Sequence, residues 1–150
     1  MDDKQIVERQ LGRAPRAFRR VAVRCPFGRP AVTEQAPLDE NGRPFPTQYY
    51  VTCSYLVAAI SRLEAAGGVE RWTREAEEDP QLARSLEEAQ ARQRALRPEL
   101  ASGIGGSTRS GSLKCLHAHT AFALAQPGYE LGDRILAELP SLWPDSCCTP

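Results

Sequence analysis

The chain has 150 residues, of which 41% are hydrophobic and 25% are charged, and its formal net charge is zero. These values indicate one domain that buries an apolar core without help from disulfides. No apolar run approaches the roughly 18 residues of a membrane span. The charged N-terminus also lacks the apolar segment of a secretory signal. We therefore expect a cytoplasmic protein with no membrane span, whose five cysteines are reduced thiols.

Apolar periodicity and turn residues predict an α+β fold in a single domain, residues 1–150. Alternating β-branched and aromatic residues predict three strands, over 18–25, 31–36 and 48–53. Helical spacing with start and stop residues predicts helices over 2–12, 54–66, 69–78, 80–97, 113–126 and 131–139. We expect a small antiparallel sheet of about three strands packed against about five helices. Residues 1–15 would form an N-terminal helix and basic arm, and residues 140–150 a flexible tail.

The basic charge is concentrated near the N-terminus. Residues 1–30 contain eight basic and three acidic side chains, a balance of +5. Such a segment either pairs with the protein's own acidic groups or meets an anionic small molecule or a protein partner. The chain contains no nucleic-acid motif, and its overall neutrality argues against broad phosphate-backbone binding.

Cysteines and histidines supply the most reactive side chains of this sequence. Cys25 and Cys53 fall at predicted strand ends, on the side that faces the core. Cys115 falls in the first turn of the helix predicted over 113–126, capped by Ser112, with His119 one turn later on the same face. Four such donors would form a tetrahedral Cys3His zinc site. An all-cysteine iron–sulfur cluster would leave the histidines unused.

Two other interpretations fit the same residues. Cys115 is activated as a nucleophile if it lies at a helix N-terminus, with His117 or His119 as its base. Alternatively, the cysteines are buried small hydrophobes in a metal-free interaction protein. Cys147 and Cys148 would either extend a metal site or lie in the flexible tail.

A glycine- and serine-rich segment, residues 101–112, precedes Cys115. It is not a P-loop, because the required Lys-Ser/Thr pair does not follow Gly111. Arg109 and Lys114 would nevertheless lie near the thiol and, with Arg24, are candidates for a weak anion-binding site.

Five short motifs resemble one known family. They are Arg24-Cys25-Pro26, Gly42-x-Pro44-Phe45-Pro46-Thr47, Tyr49-Tyr50-x-Thr52-Cys53, Ser61-Arg62-Leu63-Glu64-Ala65 and Lys114-Cys115-Leu116-His117. Together they resemble a mostly actinobacterial family, catalogued as domain of unknown function 501. The resemblance implies a short cytoplasmic protein without an established activity. Such proteins are often encoded beside enolase, a septum-formation protein of the DivIC/FtsB type and an exopolyphosphatase of the Ppx/GppA type.

The family's motifs cover Cys25, Cys53, Cys115 and His117. Related chains carry histidine at the position of Cys53, an exchange between two ligand types that suits a metal. Many related chains also carry a second histidine further along the helix predicted over 113–126, near the position where this chain has Phe122. His119 would take its place here, so the choice between His117 and His119 stays open.

The leading prediction is therefore a metal-binding protein, with zinc held by Cys25, Cys53, Cys115 and either His117 or His119. A closed site would be structural, whereas an open one would let a metal-bound water act on an anionic substrate. The alternatives are a thiol-dependent enzyme using Cys115 with a histidine, and a metal-free partner of the division or polyphosphate machinery.

Overall fold

A computed structural model describes residues 1–108 and 113–148 and confirms the predicted α+β class. Its strands are β1 (Phe18–Arg24), β2 (Pro30–Gln35) and β3 (Tyr49–Val51). Its helices are α1 (Asp3–Leu11), α2 (Ser54–Ala65), α3 (Gly68–Glu78), α4 (Pro80–Leu96), α5 (Leu116–Ala125) and α6 (Glu130–Ala137). A short 3-10 turn spans Ile104–Gly106.

The sheet is antiparallel, in the order β1-β2-β3. Val32 of the central strand pairs with Val23 on one side and Val51 on the other. Every residue of β2 is buried, because strands flank it on both sides and α1 and α5 both contact it. The sheet thus supplies a fixed surface on which α5 is packed.

Strand β1 departs from the strict alternation that its sequence predicts. Its pairing with β2 shifts register between Val21 and Val23, and again between Val23 and Arg24. Bulges of this kind add a residue to one strand and turn side chains away from their regular faces. Val21, Ala22 and Val23 are consequently all half-buried.

Helix α5 runs through the apolar core. Seven of its ten residues are buried, from Leu116 to Ala123. It contacts all three strands, α2 and α6, so it has no broad solvent-facing side. The packing of α5 against α2 is the contact that positions the candidate site.

Part of the basic charge near the N-terminus is paired within the protein. Arg24 forms an ion pair with Asp3 at 2.6 Å, and Arg20 pairs with Glu34 at 2.6 Å. Helix α1 itself buries Ile6 and Val7. These contacts support internal pairing for part of the basic charge and engage one predicted anion-binding residue, Arg24, with a carboxylate.

The segment after α6 contains no helix or strand among its described residues. Leu142, Trp143 and Cys148 nevertheless pack against the core cluster. Tyr55 of α2 also donates a hydrogen bond to the backbone oxygen of Ser141, at 3.1 Å. The segment predicted as a tail is thus in contact with α2.

None of the helices in the described part of the chain has both the length and the apolar character needed to cross a membrane.

The start of α4 offers a test of the local capping argument. The Asp79 side chain accepts hydrogen bonds from the backbone N–H groups of Gln81 and Leu82, at 2.9 and 3.4 Å. We expect Asp79→Ala to lower the free energy of unfolding by about 1 kcal/mol in urea titrations. Asp79→Asn keeps the cap but loses the charge that faces Arg134 at 3.6 Å. We therefore expect it to lower the free energy of unfolding much less than Asp79→Ala does. Equal losses in the two variants would assign the effect to the ion pair and contradict the capping argument.

Candidate functional site

The contact between α2 and α5 brings Glu64, Cys115 and His117 together. His117 Nδ1 lies 3.1 Å from Glu64 Oε1 and 3.7 Å from Cys115 Sγ. One ligand atom from each residue lies within 4.8 Å of the other two. Among residues 1–108 and 113–148, no other group of three or more His, Cys, Asp or Glu side chains converges in this way.

Cys115 reaches this position because α5 begins later than its sequence predicts. The helix starts at Leu116, and Cys115 is its N-cap residue, with extended backbone angles of φ −159° and ψ 128°. The prediction that Cys115 lies in the first helical turn, on the same face as His119, is therefore wrong. Because residue 115 is outside the helix, its side chain meets His117 instead.

Glu64 joins the two helices at this point. Its Oε2 accepts a hydrogen bond from the backbone N–H of Leu116 at 2.8 Å, a donor that has no partner inside the helix. The Cys115 side chain makes no capping hydrogen bond. The Glu64 carboxylate therefore supplies the N-terminal acceptor for α5, at the end of the helix where its dipole favours negative charge.

The second ring nitrogen of His117 faces α2. Nε2 lies 3.3 Å from the backbone oxygen of Val57 and 3.2 Å from Ser61 Oγ. Val57, Ser61 and Glu64 occupy positions i, i+4 and i+7 of α2 and so share one face. Because a carbonyl oxygen only accepts, the Val57 contact favours a proton on Nε2 and turns Nδ1 toward Glu64 and Cys115.

The electrostatic surroundings favour the charged form of His117. Its hydrogen bond with Cys115 raises the pKa of His117 to about 9, supported by the Glu64 charge and opposed by partial burial. A pKa of about 9 favours the imidazolium form of His117 at neutral pH, with Nδ1 lying between the Cys115 sulfur and the Glu64 carboxylate. The side chains of His117 and Glu64 are each 26% exposed, so the cluster is accessible from solvent.

The other predicted ligands lie elsewhere in the fold. Cys25 is buried after β1, where its backbone N–H donates to Arg29. Cys53 is the N-cap residue of α2, and its sulfur lies 3.4 Å from that of Cys148. The structure does not bring these two thiols into the cluster of Glu64, Cys115 and His117.

His119 is completely buried on the core side of α5. Its Nδ1 lies 2.8 Å from the hydroxyl of Tyr129, and within the described part of the chain Nε2 has no hydrogen-bond partner. Burial lowers the pKa of His119 to about 4. His119 is therefore a neutral core residue, and the structure brings His117, the other candidate, to Cys115.

The predicted anion-binding residues are only partly described. Lys114 is exposed beside the cluster, and its Nζ lies near Gly106. Arg24 is engaged with Asp3. Arg109 and the predicted helix cap Ser112 lie outside the described residues.

Glu64 is the residue of this cluster that was not among the predicted site residues. The sequence contains two features that could have indicated Glu64. It lies in one of the five family-like motifs, and it shares a helical face with Val57 and Ser61. A glutamate near the end of an amphipathic helix is ordinarily a solvated side chain. Only the approach of α5 distinguishes Glu64 from the other acidic residues.

Residues 21–103 match the family described as "Protein of unknown function (DUF501)". Because this range is more than half of the chain, the protein belongs to that family. The matched range includes Val57, Ser61 and Glu64 but ends before Cys115 and His117. Comparisons with curated proteins and with solved structures gave no significant match.

The burial of His119 leads to a prediction about pH. In the unfolded chain, histidine takes up a proton below about pH 6.5, whereas folded His119 does so only near pH 4. The unfolded state therefore binds more protons between these values, and stability falls as the pH is lowered through them. This histidine alone should remove about 2 kcal/mol between pH 7 and pH 5, measured by urea titration.

The matched control is His119→Gln, which retains polar atoms facing Tyr129 but does not titrate. We expect this variant to be less stable at pH 7, with a flatter decline toward pH 5. An equally steep decline in both proteins would show that His119 does not carry the pH dependence.

Proposed function

We propose that this DUF501 protein binds a divalent transition metal, with zinc the best fit, through Glu64 Oε1, Cys115 Sγ and His117 Nδ1. The observation that carries the proposal is the convergence of three donors of different type on one point. Metal–ligand bonds of roughly 2.0–2.3 Å at tetrahedral angles place neighbouring donors roughly 3.3–3.6 Å apart. The distances from Nδ1, 3.1 Å to Oε1 and 3.7 Å to Sγ, are close to that spacing.

The surroundings of the donors support the proposal. A histidine ligand usually donates its other ring N–H to a carbonyl or carboxylate, which fixes its tautomer and orientation. The Val57 oxygen is placed to accept from His117 Nε2. The hydrogen bond from Leu116 N–H likewise fixes the Glu64 carboxylate and leaves its second oxygen for the metal.

Three protein ligands leave one tetrahedral position for water or another exchangeable ligand, which is the arrangement of zinc sites that do chemistry. The partial exposure of His117 and Glu64 gives such a ligand access from solvent. Imidazole nitrogen, thiolate sulfur and carboxylate oxygen together suit zinc better than magnesium or calcium, which prefer oxygen ligands alone. The proposed site is therefore open, which is one of the two alternatives that the sequence left for a metal site, and it uses a carboxylate in place of two of the predicted cysteine ligands.

A thiol-dependent activity is the second candidate, because Cys115 lies at a helix N-terminus beside a cationic imidazole. In a catalytic triad, the nucleophile and the acid face different nitrogens of the histidine ring. Here both Cys115 and Glu64 face Nδ1, while Nε2 faces Val57 and Ser61. This geometry favours shared ligation over proton relay.

Zinc titration of tag-free protein, prepared anaerobically without chelators, tests the metal site. We expect one zinc per chain, with affinity weakened by more than about tenfold in Cys115→Ser, because a residue bonded to the metal should matter at least as much as one that only orients a ligand. Glu64→Gln keeps an acceptor for Leu116 N–H but removes the anionic ligand, so it should bind weakly while remaining folded. Cys25→Ser is the matched control, and it should bind zinc as the unaltered protein does.

Retention of full zinc affinity by Cys115→Ser and Glu64→Gln would contradict the proposal. Failure of the unaltered protein to bind zinc, cobalt or iron would do the same. In that case, rapid alkylation of Cys115 by iodoacetamide, slowed at least tenfold in His117→Ala, would support the thiol candidate instead.

A further inference from the structure

The geometry points to a second reactive site, a dithiol formed by Cys53 and Cys148, which closes to a disulfide by exchange with a low-molecular-weight disulfide such as oxidised glutathione. The two sulfur atoms lie 3.4 Å apart although the residues are 95 positions apart in sequence. Neither residue belongs to the proposed metal site. The inference therefore stands independently of metal binding.

Several contacts besides the sulfurs hold the two residues in place. Cys53 is 2% exposed and is the N-cap residue of α2. The chain leading to Cys148 is attached to the same end of α2, because the Tyr55 hydroxyl donates to the Ser141 carbonyl. Leu142 and Trp143 also pack against the core. The short distance between the two thiols is thus supported by the packing of the segment that leads to Cys148.

The different exposure of the thiols defines the order of reaction. Cys148 is half-buried, so its thiolate attacks one sulfur of oxidised glutathione and releases one glutathione thiolate. Cys53 then loses its proton and attacks Sγ of Cys148, which releases the second glutathione thiolate. The protein loses two hydrogens and gains one S–S bond, and two molecules of glutathione thiol are formed.

Burial supports this order. It is the largest cause that raises the pKa of Cys53 to about 11. Cys53 thus remains a thiol toward reagents in solution and reacts as the resolving partner once a mixed disulfide lies beside it. Cys147 is exposed and adjacent in sequence to Cys148. It is therefore the thiol that would compete with Cys53 to form a disulfide with Cys148.

The disulfide would fasten the C-terminal segment to the N-terminal end of α2. That helix also carries Val57 one turn from this end, and Ser61 and Glu64 of the candidate site in its C-terminal half. Oxidation would therefore convert a non-covalent contact of this helix into a covalent one that closes the chain between residues 53 and 148.

The test uses the full-length, reduced protein incubated with oxidised glutathione, followed by alkylation and peptide mass analysis without reduction. We expect two of the five thiols to be lost and the mass to fall by about 2 Da, since two hydrogens leave as one S–S bond forms. Trypsin leaves Cys25 and Cys53 on one peptide and Cys147 and Cys148 on another. The matched variants Cys25→Ser and Cys147→Ser should retain the cross-link, whereas Cys53→Ala and Cys148→Ser should lose it.

Cys148→Ser alters a half-buried residue outside the helices and strands, so it keeps the test valid if Cys53→Ala does not fold. A cross-link that survives in Cys148→Ser, a disulfide between Cys147 and Cys148, or no loss of thiols would each overturn the inference. The same assay in Cys115→Ser should give the same cross-link, which separates this result from the outcome of the zinc titration.

Discussion

The arrangement of the candidate site depends on the carboxylate of Glu64. One oxygen accepts the backbone N–H that begins α5, and the other faces the imidazole of His117. A single side chain at the end of α2 therefore sets both where α5 starts and where its first-turn histidine is held. Since the N-terminus of a helix favours an anion, the carboxylate is stabilised in its charged form by the helix that it caps.

That constraint determines what His117 Nδ1 can do. Nε2 is directed to the Val57 carbonyl, so Nδ1 is left between a carboxylate and a thiol. The same two neighbours raise the pKa of His117 and so favour a proton on this ring. In the proposed metal site, a proton and the metal would compete for this one position, which is the usual relation between a ligand's protonation and metal affinity.

Local sequence patterns predicted the three strands and the order of the helices, and they selected Cys115 and a nearby histidine as candidate site residues, which the structure places side by side. These patterns failed where the local structure depends on a residue that is distant in sequence. The first turn of α5 is capped by Glu64, 52 positions away, so the helix begins at Leu116 and not at Leu113. That shift moves Cys115 out of the helix and makes His117 its neighbour. The bulges in β1 likewise arise from its pairing with β2. The alternation of apolar and polar residues within β1 alone does not reveal them.

X-ray absorption at the zinc edge of the zinc-loaded protein tests the account most directly, because it counts the ligands by type. The proposed site predicts one sulfur at about 2.3 Å and the remaining nitrogen and oxygen ligands at about 2.0–2.1 Å, with the sulfur absent in Cys115→Ser. A first shell with several sulfurs would indicate the closed cysteine-rich site instead. A shell without sulfur would remove Cys115 from the site and contradict the shared ligation on which the account rests.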